Sequence, residues 1–443
     1  MQAGYSYKQI WIIAYPILIS LLMEQLIGMT DTAFMGRVGE VELGASAIAG
    51  TFYMVIFMVA FGFSIGTQIL IARRNGEGHY RAIGSLFYQG LYFQIALAAV
   101  IFLVSILFSP WILRHIVSSP QIADAAVSYL NWRVFGAFFS FTAAIFRAFF
   151  IGTTQTKTLT LNSVVMVASN ILFNYVLIFG HLGFPALGIA GAAIGSSLAE
   201  GVSLVFFIVY TRRRIDMRKY NLLQVAPFHW PELRRMFDVA GWTMIQNFFS
   251  LSTWFLFFLF IEHLGERALA VSNIVRGVSG LLFTTMMAFA STCGSLVSNL
   301  LGAGHSDAVR VTIRRHILMA YLFVLPIALL IALFPHAVLS IYTDMEELRQ
   351  AGVHTLWMMC STYLVLVPGN VYFQSVSGTG NTRTAFALEM LTLVIYMVYI
   401  SFLILYLRPD VMWCWTSEFV YGTFVFLFCY RYMKREKWKL KVI

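Results

Sequence analysis

Ile10-Trp-Ile-Ile-Ala-Tyr-Pro-Ile-Leu-Ile-Ser-Leu-Leu-Met-Glu24-Gln-Leu-Ile-Gly-Met-Thr-Asp31-Thr-Ala-Phe-Met35 is long and apolar enough to cross a bilayer as a helix, yet it carries two acids. Glu24 and Asp31 are seven residues apart, two turns along one helical face. A charge near the bilayer centre costs roughly 3 to more than 10 kcal/mol, so an acid there usually faces a cavity or a partner and marks an ion or substrate path. The stretch has no charged leader region and no small-residue cleavage site, so it reads as a retained helix and not as a signal peptide.

The 443 residues are 59 % hydrophobic and 11 % charged, where a soluble domain carries about 25 % charge. Twelve apolar stretches follow one another, from 9–35 to 411–430, with 127–152 read as one of them. Their runs are too continuous for the alternating strands of an outer-membrane barrel. The fold class expected is therefore an all-α membrane protein of twelve transmembrane helices. Cys293, Cys360, Cys414 and Cys429 lie in apolar stretches without C-x-x-C spacing, which predicts packing and neither disulfides nor zinc.

The net charge of +10 is a topology signal and does not point to nucleic acid. Twenty-two Lys and Arg fall on the side that would hold both termini, five on the other, and Arg133, Arg147 and Arg276 lie within spans. By the positive-inside rule both termini are cytoplasmic in a multi-pass inner membrane protein, with the basic loops meeting anionic membrane lipid.

The chain also repeats itself. A shift of 226 residues aligns Gly39-Glu40-x-x-Leu43-x-x-Ser46 with Gly265-Glu266-x-x-Leu269-x-x-Ser272. The same shift aligns Gly76-x-Gly78-His79 with Gly302-x-Gly304-His305, and Gly152-Thr153-x-x-Thr156-Lys157-Thr158 with Gly378-Thr379-x-x-Thr382-Arg383-Thr384. The predicted organisation is two parallel-repeat six-helix lobes around a central cleft: 1–211, a cytoplasmic linker 212–235, 236–434, and a basic tail 435–443. Parallel repeats of this kind are found in alternating-access transporters. The glycine motifs read as helix C-termini, and no P-loop Gly-Lys-Ser/Thr is present to cradle a nucleotide.

Gln25-Leu-Ile-Gly-Met-Thr-Asp31-Thr-Ala-Phe-Met-Gly36-Arg-Val-Gly39, Asn170-Ile-Leu-Phe-Asn174-Tyr-Val-Leu-Ile-Phe-Gly180, Gly188-Ile-Ala-Gly-Ala-Ala193 and the two Gly-Thr helix ends resemble the multidrug and toxic compound extrusion (MATE) family over essentially the whole chain. The resemblance implies an antiporter that exports organic, often cationic or lipophilic, compounds as protons or sodium ions enter. It implies cation coupling at Asp31, with Asn170 beside it, Asn174 where many members have a second carboxylate, Ser196 where some have a threonine, and the Ala192 carbonyl. Sodium, if bound, would sit at Asp31, Asn170 and Asn174. Independently, Asn170 and Asn174 share one helical face, and amide, hydroxyl and carboxylate oxygens suit a small hard cation. Ser250 stands near an acid of sodium-dependent NorM-like members, and no carboxylate lies between Leu356 and Asn381, which makes the chain more similar to DinF-like members, with no ion site in the second half.

Among other polar residues, Glu24 and Glu200 are auxiliary-acid candidates, and Glu200 could instead pair Arg133 or Arg147. Glu389 and Glu418 read as interfacial. Gln25, Arg133, Arg147, Arg276, Phe138, Trp242, Trp254 and Met286 are the candidates for lining a substrate cavity. The rival reading within the superfamily is a flippase for lipids or lipid-linked oligosaccharides, which should expose several cations. No catalytic constellation is visible, so an enzyme is not expected, and neither is an organic cofactor. The remaining expectations are a small organic substrate and a monomer.

Overall fold

The computed structural model describes residues 4–117 and 119–440, the last few of them partly by backbone alone; the end of the basic tail, Lys441 included, lies outside the described residues. Those residues form helices and no strand. In chain order these are α1 (Tyr7–Val38), α2 (Glu40–Gly76), α3 (Ala82–Ile116), α4 (Pro120–Arg133), α5 (Gly136–Gly152), α6 (Lys157–Phe179), α7 (Gly188–Arg214), α8 (Trp230–Glu262), α9 (Glu266–Gly302), α10 (Val309–Leu333), α11 (Pro335–Ser340), α12 (Glu346–Gly378), α13 (Thr382–Ser401), α14 (Val411–Cys414) and α15 (Ser417–Lys434). Among the described residues eleven helices are long and apolar enough to span a membrane, and α4 with α5, bent by 49°, makes a twelfth when the pair is counted as one span.

The 226-residue register holds in three dimensions. Glu40–Gly76 and Glu266–Gly302 are both single helices of 37 residues, and the α4–α5 stretch Pro120–Gly152 corresponds to Glu346–Gly378. Helix ends repeat as well. Gly78 and Gly304, with φ of 73° and 76°, take the left-handed conformation that ends α2 and α9, and His79 N and His305 N then bond back to Arg74 O and Leu300 O. The second glycine of each Gly-x-Gly is thus the residue that needs to be glycine.

The chain forms two compact units, Ile19–Met244 and Met1–Leu18 with Ile245–Ile443. The divisions fall inside α1 and α8. The cause is packing at the helix starts. Ile10, Ile13 and Ala14 of α1 are buried in one core with Phe257, Ile261 and Met286. In α8, Thr243 Oγ1 donates to Gly62 O of α2 at 2.6 Å, and Phe237 lies 5.5 Å from Phe63.

In the unit Ile19–Met244, the small-residue face of α2 (Ala45, Ala49, Ala60) packs with Val127, Leu130 and Phe141. The connector after α7 is a strap and not a loose tether: Tyr88 Oη and Tyr92 Oη donate to Leu222 O and Ala226 O, each at 2.7 Å, and Gln89 Nε2 donates to Pro227 O at 2.8 Å. In the other unit, α9 packs on α10 and α12, and α12 on α15. All four cysteines are buried and free, in keeping with their reading as packing residues.

Candidate functional site

α6 runs past α7 in the unit Ile19–Met244, and polar side chains line the contact in rungs. Ser163 Oγ donates to Ser20 Oγ of α1 at 2.7 Å, and Asn162 and Ser203 exchange hydrogen bonds at 2.8 and 3.0 Å. Two and three turns further along, Asn170 Nδ2 donates to Ser196 Oγ (3.3 Å) and Asn174 Nδ2 donates to Asn170 Oδ1 (3.2 Å). Buried polar groups in a membrane helix need such partners, because no water substitutes for them.

Asp31 of α1 completes the cluster. Asn174 Nδ2 donates to its Oδ1 at 2.6 Å and Ser196 Oγ to its Oδ2 at 3.4 Å. Asn170, Asn174 and Ser196 are buried, as is Ala192 one turn before Ser196. Four of the five residues grouped from the sequence are thus joined by hydrogen bonds. Asn174 Oδ1 is buried with no partner, so an acceptor oxygen stays free beside the carboxylate.

Arg133 sits at the break between α4 and α5. Its guanidinium forks onto Glu200 with Nη1–Oε2 at 2.8 Å and Nη2–Oε1 at 2.5 Å, lies 3.9 Å over the Tyr53 ring, and is close enough for its charge to act on Asp31. A Cβ on Gly136 would come 2.4 Å from Arg133 Nη1 and 2.5 Å from Glu200 Oε2. The absent side chain at 136 therefore makes room for the ion pair where the helix bends. Glu200 is accordingly the partner of Arg133, and Arg147 is the partner of Glu24.

The remaining cavity candidates divide. Met286 is fully buried in a hydrophobic core and Phe138 packs against another, so Met286 does not line a cavity within its unit; apolar burial fixes it there. Gln25 is exposed, Trp242 half-buried and Trp254 exposed. Arg276 stands over the rings of Trp254 and Phe258, 5.7 and 5.1 Å from their centroids.

The expectation for Glu389 fails. It is 2 % exposed, with Ser250 Oγ donating to its Oε1 at 2.7 Å and Tyr421 Oη at 3.3 Å. Glu418 accepts from Tyr396 Oη at 3.3 Å. Two turns of largely apolar helix precede Glu389 in α13, but neighbouring helices cover it, which an end-of-span reading overlooks. Tyr53, which carries the arginine on its ring, was also missed; the available signal was a hydroxyl-bearing aromatic in an apolar span, a group that needs a partner when buried.

A duplicated helical membrane bundle whose polar side chains are gathered inside the helix packing, beside an acid, has the construction of a secondary transporter. The MatE family model matches residues 16–176 and again 243–403, one copy in each half, and the chain belongs to that family. It is 25 % identical to the probable multidrug resistance protein NorM of Shewanella oneidensis over 88 % of this chain and 84 % of that one. It is 23 % identical to the multidrug resistance protein MdtK of Edwardsiella ictaluri over 84 % and 82 %. A solved multidrug resistance MATE family transporter of the MOP superfamily, in an outward-facing conformation, superposes with a TM-score of 0.89 over 98 % of this chain and 97 % of that one at 17 % identity. The protein is thus a multi-pass MATE-type membrane transporter.

Proposed function

We propose that this transporter is an antiporter that exports organic, cationic or lipophilic compounds across the inner membrane in exchange for protons or sodium ions, with coupling at Asp31. The observation that carries the reading is the Asp31 cluster itself: a carboxylate on α1 held by donors from α6 and α7. Ionised, Asp31 needs those donors; neutralised by a cation, it needs them less, and α1 is freer to repack. A bound cation and a cationic substrate compete for the same charge, so each entry of one favours departure of the other. The donor set accommodates either ion. A proton needs one carboxylate oxygen, while sodium would find hard oxygens at Asp31 Oδ2, Asn174 Oδ1, Ser196 Oγ and the Ala192 carbonyl.

The names of the NorM and MdtK relatives support multidrug efflux as the transport class. Ser250 in place of an acid supports DinF-like coupling led by the first half. The surplus of Lys and Arg in alternate loops supports cytoplasmic termini. Two of the cations that a flippase for anionic headgroups would use are engaged, Arg133 by Glu200 and Arg147 by Glu24, which favours the drug-export reading. The test is uptake of a cationic dye by proteoliposomes under a proton or a sodium gradient imposed singly. Dye movement driven by at least one gradient is expected, and movement driven by neither would refute antiport.

A further inference from the structure

Comparing the two halves at the 226-residue register shows where their chemistry diverges. In the first half, Glu24 of α1 pairs Arg147 of α5, and Ser20 meets Ser163. The corresponding positions in the second half are Ser250 for Glu24, Phe373 for Arg147, Gln246 for Ser20 and Glu389 for Ser163. The second half thus keeps an acid in this layer, moved from the first helix of the repeat to the fifth, but has a buried phenylalanine where its counter-cation would stand.

Glu389 consequently sits among donors and no cation. Ser250 and Tyr421 both reach Oε1, and the Gln246 amide also faces the carboxyl. Oε2 is buried with no partner. The titratable groups facing it come from α15, namely Tyr421 and Cys429, with Glu418 next along through Tyr421. α8 brings only the uncharged Gln246 and Ser250. Among the described residues no Lys, Arg or His pairs with Glu389. A carboxylate buried in apolar surroundings without a cation is very costly, and binding a cation at its free oxygen removes the cost. Sodium would require several oxygen ligands around Oε2, whereas the Ser250 and Tyr421 hydroxyls are directed at Oε1 and Oε2 has no hydrogen-bond partner. What Oε2 can take is a proton.

We propose that Glu389 is a second proton-binding site, in the unit Ile245–Ile443, holding its proton on Oε2 with Ser250 and Tyr421 donating to Oε1. The proposal rests on the antiport reading and deepens it, replacing the expectation of no ion site in the second half with an acid on α13: the site adds a proton that the transporter can exchange besides any at Asp31.

Infrared difference spectra of the full chain in lipid, between acid and alkaline pH, read this without transport. A carboxyl C=O stretching band that titrates is expected in the wild type and in Asp31→Asn, and it should be lost in Glu389→Gln. Ser250→Ala, which keeps the carboxyl but removes a donor, should shift the band. A Glu389→Gln spectrum identical to the wild type, or an unshifted band in Ser250→Ala, would overturn the proposal. So would a band that sodium abolishes at constant pH, since the ligand would then be an alkali cation. Because the Asp31→Asn background keeps the Glu389 signal, failure of Asp31 as the coupling acid and failure of Glu389 as a proton site give different results.

Discussion

At the scale of single residues, the first half balances its charges by pairs and the site by amides. Glu200→Leu would strand the Arg133 guanidinium in a buried site, at a cost of about 3–5 kcal/mol. Thermal unfolding in detergent should show the loss, and the double variant Arg133→Met with Glu200→Leu should recover most of it, because a matched apolar pair replaces a buried ion pair at little cost. Asn174→Ala removes the 2.6 Å donor from Asp31 and should cost roughly 1–3 kcal/mol in the same assay. The sequence made Asp31, Asn170, Asn174 and Ser196 legible because acids and amides are conspicuous in apolar helices. It left Glu200 between two arginines, since spacing along the chain does not say which of two helix positions faces a third helix. Glu389 reads as interfacial from its distance to the end of a span, and that distance does not reveal that Ser250 of α8 and Tyr421 of α15 reach its carboxyl.

At the scale of elements, periodic apolar stretches locate the spans, and the turn motifs locate their ends. The bend between α4 and α5 was not legible, because 127–152 reads as one apolar run and the room left at Gly136 becomes meaningful only once Arg133 and Glu200 are seen to fill it. α8 begins at Trp230, before its apolar run, since Pro231 is tolerated in a first helical turn and Glu232 complements the helix N-terminus. The ends of α5 and α12 offer a direct experiment. Thr154 takes φ of 61° at the position where the second half has Gly380 with φ of 85°. A left-handed conformation costs a residue with a Cβ roughly 1–2 kcal/mol, so Thr154→Gly should raise the unfolding temperature and Gly380→Thr should lower it. A fall in both variants would contradict the correspondence of these turns.

At the scale of the whole molecule, the duplication was readable because three motifs share one register, and the family model later matched each half separately. The division into units at Leu18 and Met244 was not readable, since it depends on which neighbours the first turns of α1 and α8 find. The strap 215–229 and the positive-inside bias make a topological prediction. A cysteine placed at Arg218 should react with an impermeant thiol reagent from the cytoplasmic side, and reaction from the opposite side alone would invert the orientation. The central claim is coupling at Asp31, and the most direct measurement is ion-driven export of a cationic dye by Asp31→Asn in proteoliposomes, with insertion and folding checked by unfolding temperature. The amide keeps the size and the hydrogen-bonding reach of the carboxyl but carries no negative charge and takes up no proton near neutral pH, so export should collapse while the protein stays folded. Export at the wild-type rate would contradict the account.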